Sequence, residues 1–170
     1  LLASFGIAAD VMLVKDGAST SVIITPATPS IMVTQAVEEL VYHIKKATGA
    51  ELNVIPEETD IPKGLTRIYL GDSKPCRQAG ILTNDLSPDS FMLKTRKNEI
   101  FISGKDSAGT RQNKSADSTG TLFGVYELLE RTLQIRWLWP GELGTVVIPE
   151  KDVSLPVGLD ITIKPNLEQR

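Results

Sequence analysis

Apolar positions along this chain fall in short runs broken by turn residues, with two longer stretches at helical spacing. Residues 11–14 and 22–25 are rich in β-branched side chains and flank Lys15-Asp16-Gly17, a turn signal. The pattern predicts an antiparallel pair of strands, the second stopped by Pro26. Val33, Val37, Leu40, Val41, Ile44 and Ala47 then recur at helical spacing and form one apolar face. Thr28 is the expected N-cap, with Pro29 at the first helical position and Gly49 as the left-handed stop. Lys45 and Lys46 near that end suit the helix dipole.

Residues 52–55 and 67–70 read as further strands, ended by Pro56 and by Gly71-Asp72. A polar loop with two prolines joins them, and residues 74–80 suit one short helical turn. Residues 91–95 and 99–102 read as a hairpin across Arg96-Lys97-Asn98. Residues 104–119 are almost purely polar and are expected to form a long mobile surface loop. A second helix starts near Ser118 or Thr119, with Leu122, Val125, Tyr126, Leu129 and Leu133 as its core stripe and Glu127–Arg131 as an outer i,i+4 pair. Residues 135–139 and 145–148 are two last strands around a Pro140-Gly141 turn. Residues 151–170 read as an extended exit segment or linker.

Two main helices among seven or eight strands predict an α+β fold. The expected form is a two-layer sandwich with a mixed, mostly antiparallel β-sheet and both helices on one face. The other face does not read as polar. Alternation sets Tyr69, Met92, Phe101 and Ile23 against their strand neighbours, and four such residues exceed what the helices can cover. The expectation is that another domain or chain covers part of that face.

Length and charge narrow the partners. A chain of 170 residues is one domain with room for a core, and a net charge of −3 gives no electrostatic reason to expect nucleic acid or an anionic membrane. Residues 1–9, apolar with small residues at Gly6-Ile7-Ala8, read as a signal-peptide remnant; they are too short to span a bilayer. The expected location is therefore secreted or periplasmic, with residues 10–150 as the folded domain.

The chemistry-bearing residues are sparse. One cysteine and one histidine exclude an internal disulfide framework and a Cys/His zinc cluster, so no metal or cofactor is expected. Lys74 and Arg77 would lower the pKa of Cys76, but no base partner accompanies it and it is read as inert. His43 is expected at the surface or boundary of the first helix, in i,i+4 contact with Glu39. Glu57 and Glu58 read as solvated loop charges. The phosphate-loop spacing is absent around Gly104-Lys105 and Gly109-Thr110, and Asn113-Lys114-Ser115 is a formal glycosylation sequon.

Several passages together resemble a known group. Gly120-Thr121-Leu122-Phe123-Gly124-Val125-Tyr126, Leu128-Leu129-Glu130 and Arg136-Trp137-Leu138-Trp139-Pro140-Gly141 resemble the N-terminal domain of family-67 α-glucuronidases and related large bacterial glycosidase-like proteins. Ala36-Val37-Glu38-Glu39-Leu40, Thr48-Gly49-Ala50-Glu51-Leu52, Asp89-Ser90-Phe91 and Ile102-Ser103-Gly104 agree with it. The resemblance covers residues 22–149 and implies a fold similar to domain 2 of chitobiase and other β-hexosaminidases. In that group the catalytic carboxylates lie in a following (β/α)8 barrel of about 250 residues, so no catalytic residue transfers to this chain.

The function expected is a non-catalytic accessory domain of a secreted bacterial glycoside hydrolase, packed against such a barrel. The alternative is a carbohydrate-binding module that meets oligosaccharide through Trp137 and Trp139, which would share a strand face. Trp137, Trp139, Glu142 and Tyr69 are the candidate docking or sugar-facing residues. A free-standing hydrolase would need a nucleophile or two facing carboxylates, and candidates such as Asp72, Asp117, Glu127 and Glu142 show no motif for it.

Overall fold

In the computed structural model, residues 10–107 and 118–165 are described. The expectations for residues 1–9, for the sequon at Asn113 and for most of the polar loop lie outside them. Strand β1, Val11–Lys15, turns at Asp16-Gly17, both at positive φ, and returns as β2, Ala18–Ser19. A two-residue turn with both positions left-handed matches strand twist, which is why Asp-Gly serves here. The predicted pairing of residues 11–14 with 22–25 is therefore corrected. β1 pairs with β2 and, across the whole chain, with β10 (Val153–Leu155).

Residues Ser21–Thr25 form β3, buried throughout, in a six-stranded sheet. Its other members are β4 (Asn53–Pro56), β5 (Thr66–Leu70), β6 (Phe91–Arg96), β7 (Glu99–Gly104) and β11 (Asp160–Ile163), in the order β11-β6-β7-β5-β3-β4. β4, β3, β5 and β7 run parallel, while β6 pairs antiparallel with both β7 and β11. With the two small sheets included, antiparallel pairs predominate, as the expected α+β class requires. The reading of residues 151–170 as an exit segment is corrected by β10 and β11, which extend both larger sheets. Their strands are three and four residues long, too short for alternation to stand out.

Two helices cover one face. α1, Ile31–Thr48, is capped by Ser30, whose Oγ accepts from the Val33 N–H at 3.2 Å; Thr28 is not the cap. Gly49 closes α1 at φ 79°, its N–H donating to the Lys45 carbonyl. α3, Gly120–Leu133, packs beside α1 and lies over β6 and β7. Leu13, Ile23, Leu40, Ile44, Ile68, Leu93, Ile102, Leu128 and Leu129 are buried in this core. Ile23 thus lies under the helices, and its neighbours Val22 and Ile24 take the opposite face. The α3 stripe is rotated from the predicted one. Thr121, Gly124, Val125, Leu128, Leu129 and Leu133 are buried, while Leu122 and Tyr126 are half-buried on its flank.

Much of the second face is covered by the chain itself, with Met92 half-buried. α2, Lys74–Gln78, and its flanking loops bring Cys76, Ala79 and Ile81 onto Val22, Ile24, Tyr69 and Phe101, with Ile61 and Leu65 adding to the cover. The prediction of an external cover is corrected for Tyr69 and Phe101 by this second core, built from loop residues that carry no periodic signal. Ser73 caps α2 through the Cys76 N–H at 3.3 Å.

Candidate functional site

The candidate residues of the 120–144 stretch separate in space. The predicted strand over 135–139 is only Arg136–Trp137 (β8), paired with Thr145–Val146 (β9). Trp137 is half-buried, its ring 4.8 Å from Tyr126 and 5.6 Å from His43 between centroids. Trp139 lies past the end of β8 and is 57% exposed. The two tryptophans therefore do not form one strand-face platform. Gly144 tucks under the Trp139 backbone, where a Cβ would lie 1.9 Å from its carbonyl oxygen. Glu142 opens the short 3-10 turn Glu142–Gly144. Tyr69 is buried and stacks on Phe101 at 5.0 Å and 11°, so it is a core residue and not a surface contact.

What the structure gathers around Trp137 is a different set. A groove of about 410 Å³ lies between α1, α3 and the β8–β9 pair, with Glu39, Tyr42, His43, Tyr126 and Trp137 in its walls. His43 is only 2% exposed, contrary to the expected surface position, because Trp137 covers that flank of α1 and widens its buried face. Its Nδ1 lies 2.9 Å from the Glu39 carbonyl oxygen and 3.3 Å from the Glu39 carboxylate. A carbonyl oxygen only accepts, so Nδ1 carries the hydrogen, and in the neutral ring Nε2 is an acceptor. That Nε2 is buried without a hydrogen-bond partner. Burial, then the charge of Glu39, pushes the Tyr126 hydroxyl up to about 12. The i,i+4 spacing of Glu39 and His43 was visible in the sequence; the approach of Tyr126 and Trp137 to them depends on tertiary packing.

Further concavities lie elsewhere on the described residues. A groove of about 380 Å³ on the far side of Tyr126 is lined by Phe91, Phe123 and Ile163 with Asp89, Glu127 and Glu130. A more polar one, about 340 Å³, lies at the carboxyl ends of β3, β5 and β7. There Asp106 and Asp89 hold the start of α3: Asp106 accepts from Thr121 N–H (2.8 Å) and Oγ1 (2.6 Å), and Asp89 accepts from Thr119 N–H (2.8 Å).

None of the described hydrolytic candidates forms a facing pair. Asp72 pairs with Arg77 at 2.9 Å and Glu127 with Arg131 at 2.5 Å, both on the surface, and Asp117 lies outside the described residues. Cys76 is fully buried, and burial pushes its thiol up to about 11; the expected lowering by Lys74 and Arg77 is corrected, because desolvation outweighs charges that stay in solvent. Among the described residues no cluster of three or more His, Cys, Asp or Glu is placed to hold a metal, and no helix is long and apolar enough to cross a membrane.

The fold is similar to part of a glycoside hydrolase. A family GH115 4-O-methyl-α-glucuronidase with specificity for decorated arabinogalactans matches 94% of this chain with a TM-score of 0.62 at 20% identity, over 19% of its own length. A family GH20 β-N-acetylhexosaminidase from Streptomyces coelicolor A3(2) matches 86% of this chain, over 23% of its own, with a TM-score of 0.45 and 14% identity. The chain thus spans about a fifth of the solved chains it matches. No family model matches the sequence, and no curated protein does. The expected likeness to glycoside-hydrolase domains is present at the level of fold.

Proposed function

We propose that this chain is a non-catalytic accessory domain of a larger, exported bacterial glycoside hydrolase, and that it docks on the catalytic domain through the segment around β8 and β9. The observation that carries the docking is where the apolar surface lies. Leu138, Trp139, Leu143, Val146 and Ile148 are all exposed within eleven residues of chain, Leu143 at 92%. A soluble domain that lived alone would be expected to scatter such residues, and a concentrated patch marks an interaction surface. The fold likeness supports the occupant, since the matching GH115 chain is about five times longer than this one. The pairing of the candidates Asp72 and Glu127 with arginines fits an accessory role. By the sequence resemblance, the partner is a (β/α)8 barrel.

Amide hydrogen exchange over 136–148 tests this. The segment is expected to exchange more slowly in the full polypeptide that carries this domain than in the 170-residue chain. Equal exchange in both would overturn the docking. Turnover of aryl glycosides by the 170-residue chain would overturn the non-catalytic part.

A further inference from the structure

We propose that the groove between α1, α3 and β8–β9 is a binding site for a neutral sugar ring, which lays its apolar face on Trp137 and donates a hydroxyl hydrogen to His43 Nε2. The site rests on the groove's own geometry, and its wall shares Trp137, Gly141 and Thr145 with the segment proposed to dock.

Four observations converge on that ligand. The groove, at about 410 Å³, falls within the range of about 300–1,000 Å³ of small-molecule sites. Its walls are aromatic where Tyr42, Tyr126 and Trp137 meet, and such faces suit the C–H face of a pyranose. His43 supplies the directional element. Its ring is held by the Glu39 carbonyl, and its Nε2 is an acceptor left without a donor, a state that costs free energy until one arrives. A hydroxyl group is such a donor; a carboxylate or phosphate is not. Nε2 is buried and the Trp137 ring lies 5.6 Å from the imidazole between centroids, so a hydroxyl that reaches Nε2 changes the environment of Trp137.

Charge sets the class of sugar. Glu39 stands in the groove wall, and no lysine or arginine lines this groove or the one across Tyr126, where Asp89, Glu127 and Glu130 are gathered. Arg131 and Arg136 pair with Glu127 and Glu130 from outside and reduce that field without reversing it. Lys46 donates to the Tyr42 hydroxyl at 3.0 Å and is a cation beside the wall, but Glu39 is the charged side chain in the wall itself, so a uronate or a sugar phosphate meets a carboxylate there and a neutral hexose, pentose or N-acetylhexosamine does not. Tyr126, whose ionisation is pushed up to about 12, remains a neutral hydroxyl at every ordinary pH.

The test uses Trp139→Phe, which leaves Trp137 as the single tryptophan. Its emission is followed during titration with xylo-, galacto- and chito-oligosaccharides, with glucuronic acid and with tetramethylammonium. Saturable change with at least one neutral saccharide, and weaker or no change with glucuronate, is expected. His43→Phe keeps an aromatic ring without the acceptor and should bind about three- to tenfold more weakly, the loss of one hydrogen bond. Glu39→Gln removes the rim charge from a half-exposed position. It should narrow the gap between neutral sugar and glucuronate, so the proposal stays testable even if the His43 variant fails to fold. Lack of saturable response to every neutral saccharide overturns the site. So does a preference for tetramethylammonium, or equal binding of glucuronate by the parent and Glu39→Gln.

Discussion

Gly104 and Gly120 meet backbone against backbone. A Cβ placed on Gly104 would lie 2.3 Å from the Gly120 carbonyl carbon, and one on Gly120 would lie 2.3 Å from the Ser90 carbonyl oxygen. The end of β7 and the start of α3 are therefore in direct contact, with no side chain between. One turn on, Gly124 faces the side chain of Ile102 at 2.5 Å from a would-be Cβ. Gly104→Ala and Gly120→Ala are each expected to cost more than the usual overpacking range of about 1–3 kcal/mol, because backbone cannot step aside. Gly124→Ala should fall within that range, since Ile102 can shift. Urea denaturation of the three variants gives the order, and a Gly124 variant as damaging as the other two would overturn it.

The two tryptophans should differ as sharply in stability as they do in burial. Trp137→Ala removes contacts with Tyr126 and His43, and its cost should approach the lower end of the range of about 3–5 kcal/mol for truncating a buried tryptophan. Trp139 packs little side-chain surface, and Trp139→Ala in the 170-residue chain should stay within about 0.5 kcal/mol. Thermal unfolding of both variants decides this. A larger loss for Trp139 would mean that its side chain belongs to the core of this chain.

These contacts also show which parts of the molecule were legible in the sequence. The α1 stripe and its Gly49 stop were readable because helical spacing and a left-handed glycine leave local marks. The Gly120 and Gly124 spacing was readable only as a resemblance; its physical basis is the close seat of α3 on β6 and β7. The pairing of β1 with β10 was not readable, since it joins residues about 140 positions apart through a three-residue strand. Tyr69 looked like a surface aromatic because its cover, Cys76 to Ile81, comes from a short helix and a loop without periodicity. Of the groove residues, Trp137 is the one that the sequence singles out as a docking or sugar-facing candidate. His43 was misplaced because the helix periodicity alone could not foresee that Trp137 would bury it.

Alkaline stability should report the buried thiol. Burial pushes Cys76 up to about 11, so the folded chain keeps a proton that the unfolded chain releases at about 9. The folded state then binds more protons across that window, and stability falls as pH rises through it, by roughly 2–3 kcal/mol in all. Tyr126 acts in the same direction between about 10 and about 12. Denaturation of the parent and of Cys76→Ala from pH 8 to 11 should show a shallower fall for the variant. Native protein at pH 8 should also resist thiol reagents until denaturant is added; prompt labelling would contradict the burial.

Asp106 and Thr121 provide the last contrast, because here a carboxylate stands in for the missing cap of α3. Thr119 makes no side-chain cap bond, and Asp106 instead accepts from both the N–H and the hydroxyl of Thr121, whose oxygen accepts from the Gly104 N–H at 3.0 Å. Asp106→Ala leaves those donors without their acceptor and should cost about 1–3 kcal/mol, whereas Thr119→Ala should change little. Burial raises the Asp106 pKa above the ordinary carboxylate range, although the Thr121 bonds pull it partly back. The folded chain therefore takes up this proton at a higher pH than the unfolded chain does. The Asp106 contribution to stability accordingly grows on acidification through that window and shrinks as pH rises through it. Asp106→Asn has no such proton to gain. On acidification from pH 7 toward the ordinary carboxylate range, the parent should gain stability relative to Asp106→Asn; a parent that loses ground to the variant would show that the Thr121 hydrogen bonds outweigh burial at this site.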